Sequence, residues 1–394
     1  MEMRVGRVLF SFGGGIDDVL SVNWLARNRG QQVVALLADL GQGSYLEPLG
    51  ELALECGAAR TIISDLRGEF LEDFVFPTIA AGARYEGYWL STPLARSTIC
   101  KELVRVCREL GFDAIGHGAS PGGNDHLRFE TAIGALDGEI ELIGPSPDLV
   151  RLTLRERIER AEQLQVPLIP GYSDEVSTDR NLWGVGQFHG GLDDIWEAPP
   201  ENLFQLTCCP TEAPDDPLDL MLTFESGLPI AVDDEPLDPI DLVEKLNLVG
   251  GEHGVGRLDH VENRVMGGKT REVYEAPAAA LLYSAHEALE ELTQPRVLNR
   301  HQRTLAEEYG RLIYEGQWFS QAREAIDAFF KVSQRNVSGK VRLRLFKGSI
   351  TVRGRESDHA LYCGSGDPLE RLPAGVLERI THLQRAHQIR RRKR

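Results

Sequence analysis

Two glycine-rich turns carry the residue types best suited to chemistry. The first lies in Val8–Leu20 (VLFSFGGGIDDVL), where an apolar strand runs through three glycines into an amphipathic helix with Leu20, Val22, Trp24 and Leu25. Amides at such a strand–turn–helix junction point outward, and the helix dipole favours an anion there. Glycines let the backbone come close to that anion. Yet Asp17 and Asp18 open the helix and Val19 follows. Two carboxylates repel a bare phosphate unless a cation such as Mg2+ comes with it. A plain helix entry, with Asp17 or Asp18 as N-cap, explains the same residues about as well.

The second turn, Gly118–Arg128 (GASPGGNDHLR), also follows a strand and opens a helix. It adds a hydroxyl (Ser120), an amide (Asn124), a carboxylate (Asp125) and, one turn on, Arg128. That set suits an amino acid: its carboxylate on the amides, Ser120 or Arg128, its ammonium on Asp125. Capping by Ser120 or Asn124 beside a surface arginine is the plainer alternative, and the density of polar groups argues against it. Tyr85–Arg96 brings aromatics, hydroxyls and Arg96 up to the start of a helix. Val261–Arg264, Gly267–Lys269 and Tyr274–Glu275 set charges in an apolar context, for which structural salt bridges are the plainer explanation. His253 and the other histidines lack ligand spacing, so no protein metal site is expected.

These groups need a scaffold. Short apolar strands at Arg7–Ser11, Gln32–Asp39, Arg60–Ser64, Asp113–Gly118 and Glu139–Gly144 alternate with helical patterns at Asp18–Arg29, Tyr45–Cys56, Leu66–Ala83, Pro93–Leu110 and Gly123–Leu136. The alternation predicts an α/β domain with a doubly wound parallel sheet, ligands lying beyond the strands' C-terminal ends. After Pro167, proline and glycine punctuate the chain. A hairpin (Asp219–Glu225, Pro229–Asp233), helices at Pro239–Leu248, Ala278–Glu291, Gln302–Glu315 and Gln321–Val332, and strands Lys340–Lys347 and Ser349–Arg355 predict a second, α+β domain. From Pro368 a helical tail with Leu377, Ile380 and Leu383 on one face suits a partner subunit.

The 394 residues carry a formal net charge of −17, which argues against nucleic-acid or membrane-surface partners despite the basic end Arg390–Arg394. Six cysteines without a C-x-x-C pair, no signal peptide and no membrane-spanning apolar run point to a reducing cytoplasm.

Asp39–Gln42 (DLGQ), Tyr85–Arg96, His117–Glu130 (HGASPGGNDHLRFE), Asn181–Trp183 (NLW), Gly254–Asp259 (GVGRLD) and Val261–Arg264 (VENR) follow in order. Together they resemble argininosuccinate synthase from about residue 5 to 365. The resemblance implies an ATP-pyrophosphatase-type nucleotide-binding domain (1–166), a synthetase domain (167–365) and a C-terminal oligomerisation helix (366–394) in a homotetramer. It implies small-molecule amino-acid substrates, ATP with Mg2+, and a reaction in which citrulline's ureido oxygen is adenylated, pyrophosphate leaves, and the aspartate amine displaces AMP. It places Ser120, Asn124 and Asp125 on aspartate, and Tyr88, Thr92, Arg128, Ser177, Glu262 and Tyr274 on the citrulline side. Ser11, Phe12, Gly13, Gly14, Gly15, Asp17, Asp18, Ala38, Gln42, Arg96 and Gly118 fall at the nucleotide, and Asp17, Arg96 and Asp125 in catalytic roles.

The chain also departs from that pattern. Where the family's loop reads S-G-G-L-D-T-S, Gly13, Asp18 and Val19 replace the three hydroxyls. Pro93 and Gly186 replace citrulline-side serines, and Gly184 and Phe188 stand for His and Glu. These changes imply a roomier, less polar pocket. The reading favoured from sequence is therefore a C–N ligase joining aspartate, or a close amine, to an activated ureido or carbonyl partner other than citrulline. A genuine argininosuccinate synthase is one alternative. A family member that has lost ATP-dependent ligation is the other.

Overall fold

The computed structural model describes residues 6–43, 46–169, 177–188, 192 and 194–362. The predicted tail at 366–394 lies outside the described residues. The N-terminal part runs β1 (Arg7–Ser11), α1 (Ile16–Asn28), β2 (Gln32–Asp39), α2 (Leu46–Cys56), β3 (Arg60–Asp65), a segmented helix of α3 (Arg67–Glu69), a π-helical turn (Phe70–Val75) and α4 (Phe76–Ala80), then α5 (Ser91–Leu110), β4 (Ala114–His117), α6 (Asn124–Leu136), β5 (Glu141–Ile143), α7 (Pro147–Val150) and α8 (Leu154–Gln163). The five strands form one parallel sheet in the order β3-β2-β1-β4-β5.

Alternation along the strands makes the sheet two-faced. Val8, Phe10, Val33, Ala35 and Leu37 pack with Val19 and Leu20 of α1, Leu49 and Ala53 of α2 and Ala161 of α8. Leu9, Val34 and Leu36 pack with Cys100 and Leu103 of α5 and Phe129 and Ile133 of α6. Both faces are covered, as a parallel sheet requires. The strand order reverses between β1 and β4, so the turns after these two strands meet at the switch point where such sheets bind ligands.

The C-terminal part runs β6 (Ser177–Asn181), β7 (Gly184–Phe188), β8 (Leu218–Glu225), β9 (Leu228–Val232), β10 (Glu235–Pro236), α9 (Pro239–Glu252), β11 (Arg257–Asn263), β12 (Lys269–Glu275), α10 (Pro277–Thr293), α11 (Arg296–Tyr314), α12 (Gln321–Ser333), β13 (Gly339–Phe346) and β14 (Ser349–Glu356). Two antiparallel sheets result, β11-β12-β7-β6 and β10-β9-β8-β13-β14. The alanine- and leucine-rich face of α10 packs on β13 and β14 within the largest core cluster. Beyond α11 the chain turns at Gly316 (φ +77°), where a Cβ would come 2.7 Å from Arg128 Cα. That close approach seats Tyr314 against α6.

Four features depart from the sequence expectation: one broken helix, two hairpins and one additional helix. The helix expected over Leu66–Ala83 is broken by the π-turn. The hairpins β6–β7 and β11–β12 were not foreseen, because β6 (STDRN) is polar and β7 (GVGQF) is glycine-rich, so neither shows a hydrophobic period. Helix α8 (LRERIERAEQ) buries one residue, Ala161, and had no apolar stripe to announce it.

Candidate active site

The first turn keeps its backbone and fills its own cradle. Helix α1 starts at Ile16 with Gly15 as N-cap and no side-chain cap, so neither Asp17 nor Asp18 caps it. Asp18 instead reaches back, and its Oδ2 accepts the Gly13 N–H at 2.8 Å. A Cβ on Gly118 would fall 2.0 Å from Asp18 Oδ1, so the two turns are packed together through that carboxylate. Burial pushes the Asp18 carboxyl up to about 6, with Asp17 reinforcing and the Gly13 amide and Arg96 opposing. Asp17 accepts Arg157 Nη1 of α8 at 2.8 and 3.0 Å and the Ser120 hydroxyl at 2.9 Å. Phe12 is buried, and its N–H donates to Leu36 at 2.9 Å. Ser11 closes β1 just before it. Gln42 folds onto its own loop, donating to the Ala38 carbonyl at 2.6 Å and accepting the Leu40 N–H at 2.7 Å.

The second turn is a charge junction. Helix α6 also takes a glycine N-cap, Gly123, without a side-chain cap, so Ser120 and Asn124 are free for other work. Asp125 accepts Arg96 Nε at 2.9 Å and Arg128 Nη1 at 2.8 Å. Arg96, on α5, also donates to Asp179 of β6 at 2.9 Å, tying the two halves of the chain together. Burial would raise the Asp125 carboxyl, but the two guanidiniums outweigh it and hold it near 2. Arg128 is 5% exposed and donates through Nε to the Tyr314 carbonyl at 2.9 Å.

The C-terminal half closes over this junction. Asn124 donates to the Tyr314 hydroxyl at 2.9 Å, and that hydroxyl donates to Glu262 Oε1. Glu262, 2% exposed, also accepts Tyr274 at 3.1 Å and lies 3.3 Å from His260 Nε2. The rings of Tyr88 and Tyr274 stack at 3.9 Å, and those of Tyr85 and Tyr314 at 3.6 Å. Burial raises the phenols of Tyr88, Tyr274 and Tyr314, so all three stay protonated donors at neutral pH. The Tyr88 hydroxyl accepts the Thr92 N–H at 2.8 Å and shares a hydrogen bond with Ser91. Ser177 sits exposed at the start of β6, paired in register with Phe188.

Asp17, Asp18, Gly13, Gly118 and Ser120 thus meet at the first turn, and Tyr88, Arg96, Asn124, Asp125, Arg128, Glu262 and Tyr274 are linked around the second, whereas Gln42 bonds its own loop and Ser177 pairs with Phe188. Arg157, Asp179 and Tyr314 complete these two groups without any signal in the sequence, and Tyr85 joins the second from the flagged segment Tyr85–Arg96. The salt-bridge explanation for 261–275 covers Glu262 only in part: its imidazole partner His260, whose pKa burial lowers but the carboxylate raises on balance, makes an ion pair when protonated, but its other two partners are phenols. Nor is the space at Gly186 open: a Cβ there would lie 3.1 Å from the Tyr274 ring and 3.3 Å from that of Phe188. The rings thus occupy the room that residue 186 gives up, and the roomier pocket expected there is not found at this position.

A parallel α/β sheet whose switch-point turns meet an α+β lobe at a junction of carboxylates, guanidiniums and phenols is a frame suited to small, charged ligands. Residues 7–167 match the family profile described as the arginosuccinate synthase N-terminal HUP domain, and residues 176–366 match the arginosuccinate synthase C-terminal domain. The chain is 43% identical over 357 residues to an argininosuccinate synthase of Desulfitobacterium hafniense, covering 90% of this chain and 89% of that protein. It is 41% identical over 359 residues to one of Pelotomaculum thermopropionicum (91% and 90%) and 42% identical over 357 residues to one of Carboxydothermus hydrogenoformans (90% and 89%). The chain belongs to the argininosuccinate synthase family, whose members are ATP-dependent ligases forming C–N bonds. Among the described residues no helix is long and apolar enough to cross a membrane.

Proposed function

We propose that this chain is a working argininosuccinate synthase, condensing aspartate with citrulline at the expense of ATP, in the cytoplasm and as a homotetramer. The convergence of Asp125, Arg96 and Arg128 with Asn124, Tyr314, Glu262 and Tyr274 carries this reading. Similarity over nine-tenths of the chain to proteins bearing that name supports citrulline over the altered partner favoured from sequence.

In this reading Ser120, Asn124 and Asp125 hold aspartate. A carboxylate held near 2 is a poor base at neutral pH, so Asp125 anchors and orients the ammonium and does not take its proton. Tyr88, Thr92, Arg128, Ser177, Glu262 and Tyr274 receive citrulline, with Arg128 on its carboxylate and Glu262 opposite its ammonium. The backbone of Ser11–Gly15 and Gly118 receives phosphates, with Ala38, Gln42 and Arg96 beside the rest of the nucleotide. ATP held there would supply the adenylyl group that turns the ureido oxygen into a leaving group, with pyrophosphate departing. The cradle fits a metal-bound polyphosphate better than a bare one, since Asp18 offers a carboxylate where the phosphate would go. Asp17 and Asp18 would face that Mg2+.

A second reading retains the ligase but replaces citrulline, and the Tyr274 and Phe188 rings crowding Gly186, with Pro93 in place of a serine, favour it. One assay separates the two: AMP, pyrophosphate and argininosuccinate measured with citrulline plus aspartate, beside a panel of ureido, amide and carboxylate partners. Argininosuccinate formation with the panel silent supports the first reading. A faster panel member with citrulline idle supports the second. No AMP with any partner turns the balance to a member that no longer uses ATP. For assembly, removal of residues 368–394 is expected to shrink the particle in light scattering.

A further inference from the structure

Outside this junction, on the far side of α6, three potential metal ligands come together. His117, the last residue of β4, is fully buried, and neither ring nitrogen has a hydrogen-bond partner. Its ring stacks on Phe129 at 4.9 Å and meets that of His126 edge-on at 5.3 Å. His126 and Glu130 are four residues apart on α6 and so share a face. His126 Nδ1 is likewise buried without a partner. One ligand atom from each of the three residues lies within 4.8 Å of the others, and His117 Nε2 is 4.0 Å from Glu130 Oε1.

We propose that His117, His126 and Glu130 bind a divalent first-row transition metal of the zinc type. Three atoms so spaced share a point no more than about 2.8 Å from each, and small side-chain movements reach the ~2.1 Å of zinc–nitrogen and zinc–oxygen bonds. Two imidazoles and one carboxylate suit zinc, cobalt or nickel and not magnesium or calcium, which prefer oxygen. Glu130 is exposed at the rim, giving the ion a way in and leaving a water the fourth position. Gly144 borders both rings, its absent Cβ falling 3.7 Å from each Cε1. The ion would fasten the end of β4 to the first two turns of α6, which carry Asn124, Asp125 and Arg128. It is a positioning ion, outside the reaction, and its existence does not depend on the ligase reading.

The test uses the full chain, stripped with a chelator and titrated with ZnCl2 by calorimetry. Wild type is expected to bind one equivalent, with Glu130→Gln and His126→Gln each weakening it at least tenfold. Co2+ in the wild type should show visible d–d bands that His126→Gln abolishes. Should His126→Gln fail to fold, Glu130→Gln at an exposed position gives the same answer. No stoichiometric zinc, or equal affinity in wild type and Glu130→Gln, overturns the site.

Discussion

The Asp18 carboxylate accepts the Gly13 amide at 2.8 Å, so the turn best placed to receive an anion holds one from its own helix. The arrangement has a cost that depends on pH. Asp18 in the fold titrates near 6, above its ordinary 3.8, so the folded state holds the extra proton between those values. Stability from this group is therefore greatest below about pH 4 and declines as pH rises through 6. Asp18→Asn keeps an oxygen for Gly13 and removes the charge. It should stabilise the protein by about 2 kcal/mol at pH 7.5 and by almost nothing at pH 4. Urea unfolding of both proteins at the two pH values checks this, and a pH-independent difference contradicts it.

The same carboxylate should govern the nucleotide. Calorimetry is expected to detect ATP with Mg2+ and little ATP in chelator, whereas Asp18→Thr should bind ATP in chelator at least tenfold more tightly than wild type. Equal affinity of wild type with and without Mg2+ would show that Asp18 leaves the cradle freely.

Asp125 has two guanidiniums to satisfy, that of Arg128 buried and that of Arg96 partly so. Asp125→Asn leaves Arg128 without its carboxylate and Arg96 with Asp179 alone. Loss of about 2–4 kcal/mol is expected, since a buried charge is left uncompensated, along with any rise in melting temperature on adding aspartate. The carboxyl is depressed to about 2, so its contribution is complete above pH 4 and is lost only as pH falls through 2. Wild type and Asp125→Asn should thus differ by a constant amount from pH 5 to 8.

Tyr314→Phe removes one hydroxyl that both receives Asn124 and serves Glu262. Glu262 keeps Tyr274 and His260, so the fold should lose only about 1–2 kcal/mol. The co-substrate KM should rise roughly tenfold while the aspartate KM moves less, a split that a general loss of stability would not produce.

Gly186→Ser restores a hydroxyl of the family pattern but needs the rings of Tyr274 and Phe188 to yield by a few tenths of an ångström. Destabilisation of about 1 kcal/mol is expected. If citrulline turnover improves despite that, the crowding at Gly186 tunes the choice of co-substrate.

The turns and the parallel sheet were legible because their signals are local: apolar strands ending in glycine, followed by helical periods. Asp17, Asp18, Asn124, Asp125 and Arg128 stood in those same turns or in the first turns of the helices they open. Arg157 was not legible, since it lies 140 residues from Asp17 on a helix with almost no buried face. Tyr314 read as the end of an amphipathic helix, and only the close approach at Gly316 brings it 186 residues back to Arg128. The filling of the space at Gly186 was illegible for another reason. A residue's absence is visible in a sequence, whereas the neighbours that move into the gap are set by packing between strands.

The contact between Tyr314 and Arg128 also has an order in time. Synthesis delivers Asp125 and Arg128 early and Glu262 much later, and Tyr314 emerges last of the junction's residues. Until it does, Arg128 Nε has no carbonyl to meet and Glu262 has no phenol from α11. A nascent chain can complete its parallel sheet and still lack the contacts that Tyr314 makes to Asn124, Arg128 and Glu262.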